Sequence, residues 1–442
     1  MNTKRRFGIF TPLTIAGLVL LAACGSSGST ATKAVSASGP TRGQTINVAI
    51  AYPPPKALLA KFTQQTGIKV NWSYLQFDDL QTKIASAAEA HTYFADVADV
   101  DWSKVGEYYQ TKWFLPLNSY FNVTASQAQF PQLSSFVRNG SLVGMPMDAS
   151  LLVTTINKKD LQAAGITTPP TTLTQYTTDL NSIQTHGVVK SPLDIPFAAA
   201  EGLSTYWYEL TAAFGGQVLS PSYAPEFTNP SSPGYKAMAW MLNAYKSHLV
   251  PAANLSDEDY QAFEAEAAHN VVASVFSDYS GDLGTIYNVP KESTVVGQME
   301  YIPTPGIAGV APNLGNPDGI GIPATAEHVA AAVAFIKWME EPANQAAFAG
   351  ADGPANVIST FPLPSNDAGL ADLVKSGKVP GAAVLETLLE KHSRAIFPAG
   401  APPWYGQFSN SVFTNIHSVV AGQEPVSSAI TAIASTVNSL RG

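Results

Sequence analysis

Between residues 46 and 101 the chain switches back and forth between two hydrophobic periods, and this restricts the fold more than any other feature. Ile46, Val48 and Ile50 recur at every second residue and stop at Tyr52-Pro53-Pro54-Pro55. Leu58, Leu59 and Phe62 then fall on one helical face, and Gly67 is placed to end that helix. Ile68-Lys-Val70-Asn-Trp72-Ser-Tyr74 returns to period two, Leu80, Ile84 and Ala87 return to the helical period, and Asp96-Val-Ala-Asp-Val-Asp101 reads as a closing strand. Strand, helix, strand, helix, strand in so short a span predicts an α/β chain with an open, mostly parallel sheet.

Later helices are marked by the same logic. Pro233 stands near a helix start, followed by Tyr235, Met238, Met241, Leu242 and Tyr245. Ser256-Asp-Glu-Asp259 predicts a capping box ahead of Tyr260, Phe263 and Ala267. Val329, Val333 and Ile336 line a helix that stops before Pro342, and Val426, Ile430, Ile433, Val437 and Leu440 line a closing one. There is no internal repeat. The ~400 residues of patterned chain exceed one ordinary core, so two lobes are expected.

The first 43 residues read differently. Lys4, Arg5 and Arg6 precede an apolar run, Ile15 to Ala23, that is too short and too interrupted for a membrane span. Residues 1–23 are therefore expected to be a secretory signal peptide. Leu21-Ala-Ala-Cys24-Gly resembles a bacterial lipobox, which implies acylation of Cys24 and cleavage before it. The Gly/Ser/Thr/Ala-rich stretch 24–43 reads as a flexible tether. Cys24 is the one cysteine in 442 residues, so no intramolecular disulfide can form and the fold rests on its core. The formal charge is −9 and becomes more negative without Lys4, Arg5 and Arg6. That balance argues against a nucleic-acid partner.

Four stretches, taken in order, resemble the extracellular solute-binding proteins of ABC importers, in the carbohydrate-binding group that includes maltose-binding protein. They are Phe62-Thr-Gln-Gln-Thr-Gly-Ile-Lys-Val70 with Phe77-Asp-Asp-Leu80 and Asp96 to Trp102; Asn139-Gly-Ser-Leu-Val-Gly-Met-Pro146 with Ile156-Asn-Lys-Lys-Asp-Leu161; Phe263 to Ala273; and Pro303-Thr-Pro-Gly306 with Gly319-Ile-Gly-Ile-Pro323, Ala334 to Trp338 and Pro342 to Ala346. The resemblance implies a two-lobed, type II-like periplasmic-binding-protein fold. Its sheets would be mixed and mostly parallel, with hinge crossings and a ligand cleft between the lobes. The first lobe is expected over 44–148 and 303–350, the second over 149–302 and 351–442. The implied partners are a carbohydrate ligand, permease subunits with a separate ATPase, and a membrane through the lipid on Cys24. The implied protein is a monomer on the extracytoplasmic face, with no cofactor, no metal and no catalytic residue.

Ligands of open parallel sheets bind outside the carboxyl ends of the strands, and sugars want aromatic plates beside carboxylates or amides. Asp101-Trp102 ends the third strand and meets both conditions, although Trp102 also suits a core and Asp101 a helix cap. Phe77 and Asp78 follow the second strand, where Asp78 either contacts ligand or caps the next helix. Asp148 is expected on the first crossing as hinge, ligand contact or both. Tyr206 and Trp207 match an aromatic patch of the family, though at helical spacing some of that patch must face the core. Tyr279 stands where the family often has Gly-Pro-Trp and departs from it. Trp404 and Tyr405, after Pro402-Pro403, are placed for a late aromatic wall or for bracing the last helices.

Other chemistries find little support. Gly319-Ile-Gly-Ile-Pro-Ala324 nearly spells a dinucleotide fingerprint, but Pro323 interrupts it and no strand-end acid follows at the right distance. The seven His are scattered and no phosphate loop or serine elbow is present. The alternatives are the same fold holding a glycerophosphodiester, a polyamine or ferric ion, or a secreted glycosidase built on two carboxylates. Arg is scarce, which disfavours a phosphate ligand.

Overall fold

The computed structural model describes residues 41–274, 278–350 and 363–442. Cys24, the leader and the tether up to residue 40 lie outside the described residues. The opening alternation folds as its periods require: β1 (Thr45–Ile50), α1 (Lys56–Thr66), β2 (Lys69–Tyr74), α2 (Phe77–Glu89) and β3 (Val97–Asp101). Gly67 ends α1 in the left-handed conformation at φ 75° and donates to Thr63 O. β1 is central and parallel to both neighbours, with Val48 opposite Trp72 and Val97. Asp318–Gly321 adds antiparallel to β3, and Met145–Pro146 adds antiparallel beyond it. Phe62 of α1 meets Phe335 and Trp338 of the Val329–Met339 helix at 5.2 and 5.1 Å, closing this lobe's core.

The second lobe forms around Leu152–Asn157, a strand buried along its whole length. Met299–Ile302, Asp278–Tyr279 and Ala273 all pair with it antiparallel, and Leu193–Asp194 pairs parallel with Ala273–Ser274. Both sheets are thus mixed, and parallel pairing dominates only around β1. Cores cover this lobe from two sides. One gathers Ile156 and Leu193 with the Glu201–Ala213, Tyr405–Val420 and Val426–Leu440 helices, and the other gathers Val153 and Tyr301 with the Asp367–Ser376 and Ala382–His392 helices.

The segments joining the lobes run side by side. Met147 N and Asp148 N both donate to Asp318 O, at 2.8 and 3.2 Å, and Asn316 N donates to Ser150 O at 2.9 Å. Ala149 N donates to Leu363 O at 3.0 Å, on a further segment. The chain therefore returns to the first lobe at 315–318, not at the expected 303. Buried polar side chains hold the intervening stretch in the second lobe: Asn313 Nδ2 donates to Leu152 O at 2.8 Å, and Leu314 N donates to Glu209 at 2.7 Å. The capping box also shifts. Glu258 and Gln261 form it, and the helix begins at Asp259.

Candidate functional site

A cavity of about 420 Å³ opens between the lobes, at the carboxyl end of β3. The first lobe contributes Phe77, Gln81, Asp101 to Lys104 and Asp318; the second contributes Glu201, Gly202, Thr205, Asp259, Tyr279, Tyr405 and Gly406; Asn316 enters from a crossing. Asp101 does two jobs here. One oxygen accepts from Ser103 N at 2.8 Å and from the Ser103 hydroxyl, which turns the chain into a short 3₁₀ helix, and the residue still lines the cavity. That turn swings Trp102 across to the other lobe. Its ring lies 5.1 Å from Tyr405 and 6.1 Å from Phe397, and its indole N–H donates to Asn316.

The opposing wall is polar and tightly held. Tyr405 and Ser409 each donate to one oxygen of Glu201. Tyr279 donates to Asp259 at 3.0 Å. Because the helix cap lies at Glu258, the Asp259 carboxylate is free to turn into the cavity. It passes so close to Gly202 that a Cβ there would sit 2.2 Å from its oxygen and would displace the carboxylate.

Carboxylates crowd the first-lobe side. Asp101 and Asp318 are direct partners across the antiparallel pair, and Asp99 lies two residues before Asp101 on the same face. Asp148 accepts from Asp318 N at 2.7 Å, and Tyr52 donates to both Asp148 and Asp318, at 2.9 and 2.8 Å. Burial raises the pKa of every one of these acids; Asp148 is pushed up to about 7. Burial also pushes Glu201 up to about 7. Among the described residues no group of three or more His, Cys, Asp or Glu is placed to hold a metal ion.

Of the residues singled out from sequence, Phe77, Asp101, Trp102, Tyr279 and Tyr405 line the cavity. Others sit elsewhere. Tyr206 and Trp207 lie on a helix buried on all sides, and Trp207 donates to Gly234 O at 2.8 Å while packing 5.1 Å from Phe227. Only the N-terminal residues of that helix reach the cavity. Trp404 packs 5.7 Å from Tyr223 and 6.1 Å from Phe408, bracing the last helices. Asp148 is buried in the crossings rather than facing the cavity. Asp78 lies in the first turn of α2, and its side chain is outside the described residues. Gln81, Lys104, Glu201, Thr205, Asp259, Asn316 and Asp318 were not anticipated.

The lobes also touch outside the cavity. Arg138 of the first lobe donates to Tyr223 and to Ala399 O, with its guanidinium 5.2 Å from the Tyr223 ring. Gly106 packs on the Ala401–Pro403 backbone, where a Cβ would come within 2.2 Å of Ala401 O. Gly106→Ala is expected to wedge the lobes apart and weaken ligand binding at least tenfold by titration calorimetry. Alanine favours a helix over glycine by roughly 0.5–1 kcal/mol, so the loss is not one of helix stability. Unchanged affinity would show that this contact plays no part in closure.

A model of the bacterial extracellular solute-binding protein family matches residues 47–346. No curated protein sequence matches the chain. Solved structures do. Maltose-bound MalE3 of T. maritima is 19% identical with a TM-score of 0.75, covering 90% of this chain and 100% of that one. A ribitol-bound solute-binding protein of Agrobacterium radiobacter K84 is also 19% identical with a TM-score of 0.76, covering 91% and 100%. A cyclic alpha-maltosyl-1,6-maltose binding protein of Arthrobacter globiformis is 19% identical with a TM-score of 0.72, covering 90% and 98%. These likenesses share the two-lobed fold, and the family match spans most of the chain: the protein belongs to the bacterial extracellular solute-binding proteins.

Proposed function

We propose that the chain captures a sugar or oligosaccharide between its lobes and delivers it to the permease of an ABC importer. The cavity carries this reading. Trp102, Tyr279, Tyr405 and Phe77 offer plates for sugar C–H faces, and Asp101, Glu201, Asp259, Gln81 and Asn316 offer polar groups for hydroxyls. A ligand touching both walls stabilises the closed form over the open one. The side-by-side crossings at 147–151 and 315–318 serve as hinge, and Asp148 acts there rather than on ligand. The structures bound to maltose and ribitol support a polyhydroxylated ligand.

The alternatives fit less well. Lys104 is the one cation lining the cavity among the described residues, too few for a phosphodiester. Tyr405 and Ser409 each hold one oxygen of Glu201 and fix its orientation, while the remaining lone pairs can still accept from a sugar hydroxyl; such positioning suits binding better than glycoside hydrolysis. Titrating the purified protein with oligosaccharides tests the reading: intrinsic tryptophan fluorescence should change saturably while the sugar stays intact. Turnover, or silence across the sugars, would overturn it.

The protein acts as a monomer held to the extracytoplasmic membrane face by lipid on Cys24. Cys24→Ser is expected to move the protein from the membrane fraction to the soluble one and leave its sugar affinity within about twofold. Retention in the membrane fraction would refute the anchor.

A further inference from the structure

The cavity does not end at its buried walls. A second cavity of about 560 Å³ adjoins it, and Phe77, Glu201, Gly202 and Asp259 line both. Inner walls such as Asp101, Trp102 and Tyr405 are buried, whereas Gln76, Asp79 and Glu258 of the second cavity are exposed. Together the two form one cleft that runs from a closed inner end to an open mouth, and Gly202 stands in the passage with no side chain to narrow it. The inner part, about 420 Å³, lies near the lower end of the roughly 300–1,000 Å³ of small-ligand sites. A ligand that fills it alone leaves the larger part of the cleft empty.

The mouth carries what a sugar chain needs. Phe77 is 37% exposed and Tyr74 is 46% exposed, and few other large apolar side chains among the described residues are as open to water. One exposed ring means little, but these two flank Gln76, whose Nε2 donates to the Tyr74 hydroxyl at 3.0 Å. That tie holds Tyr74 beside the mouth. The polar groups there are of both kinds. The helices that begin at Phe77 and Glu201 have no side-chain cap, so their first N–H groups are left to water or ligand. Asp79 and Glu258 supply acceptors. A sugar hydroxyl donates and accepts, so it can use both.

We propose that the cleft takes a linear oligosaccharide of three or more units, with one end seated against Trp102 and Tyr405 and the chain leaving across Phe77 to an outer subsite at Tyr74 and Gln76. This rests on the sugar reading above and narrows it. Both lobes line the outer cavity, so each unit bound there bridges them again, and chain length adds to closure as well as to contact.

Titration calorimetry at neutral pH tests it with α-1,4- and β-1,4-linked gluco-oligosaccharides and β-1,4-linked xylo-oligosaccharides, each from the monosaccharide to the hexasaccharide. In a series that binds, the tetrasaccharide should bind at least about tenfold tighter than the disaccharide. Tyr74→Ala and Gln76→Ala should each cut that ratio to about threefold or less and leave the disaccharide within about twofold. Both side chains are exposed and Gln76 makes no side-chain cap bond, so folding is not at stake, and a thermal melt checks it. A monosaccharide or disaccharide bound as tightly as the longer chains overturns this inference and leaves the sugar reading standing. A gain with length that survives both substitutions overturns the outer subsite in the same way. Silence across every series overturns the sugar reading, and this inference with it.

Discussion

Trp102→Ala is expected to weaken ligand binding at least ~30-fold, while Trp404→Ala changes it less than about threefold. Trp102 is anchored on the first lobe by Asp101 and its turn, yet its ring packs on Tyr405 and Phe397 of the second. Truncation removes a wall of the cavity and a contact that closes it. Central aromatic anchors of this kind are worth about 2 kcal/mol or more, or ~30-fold in affinity. Trp404 is two residues away from Gly406 on the cavity wall but packs on Tyr223 and Phe408 instead, so its loss falls on local packing. Trp102→Phe separates the parts of the effect: it keeps a smaller aromatic plate and loses the N–H to Asn316 together with part of the packing on Tyr405 and Phe397. Calorimetry on all three variants, with a thermal melt of each, decides the matter. Equal losses at Trp102 and Trp404 would mean the ligand does not sit where the cavity is.

Stability should fall steeply as pH rises from 5.5 to 8. Burial pushes Asp148 up to about 7 and Asp194 up to about 8, and it raises Asp99, Asp318, Glu266 and Asp282 as well. An unfolded carboxyl titrates near 4. Between that value and the raised one, the folded chain holds protons that the unfolded chain has released, so stability declines with pH. It is greatest at and below about pH 4 for these groups. The decline continues to about pH 7 for Asp148 and to about 8 for Asp194. Each such group contributes about 1.4 kcal/mol per pH unit inside its window. Several acting together should lower the melting temperature on the order of 10 °C between pH 5.5 and 8. Asp99→Asn should flatten the slope. A melting temperature that holds steady or climbs over that range would show that these acids ionise freely in the fold.

The first lobe was legible in sequence because its signals are local. Period two and period 3.6 alternate without ambiguity from Ile46 to Asp101, and Gly67 supplies the left-handed stop that α1 needs. Strand ends face the cleft, so Asp101 and Trp102 followed from the same pattern. Asp318 did not, because its role comes from lying opposite Asp101 across a pair of strands more than 200 residues apart. Asp259 was hidden by a plausible capping box two residues too early. Glu201 was hidden because it is the exposed first residue of a helix that is otherwise buried and shows no polar face to read, and the aromatic Tyr206 and Trp207 drew attention away from its first turn. The late return to the first lobe was missed for a related cause: Asn313 and Glu209 hold that loop through hydrogen bonds no periodicity reports.

Arg138 has a consequence for the economy of transport. Its clasp on Tyr223 and Ala399 is made of protein groups alone, so it is indifferent to cargo. Whatever it adds to closure it adds equally with and without sugar. A stronger clasp raises apparent affinity by enlarging the competent fraction, and to the same degree it raises the number of shut but unloaded molecules that an importer meets. Arg138 therefore sets a balance between scavenging when supply is scarce and sparing the importer idle encounters when it is not.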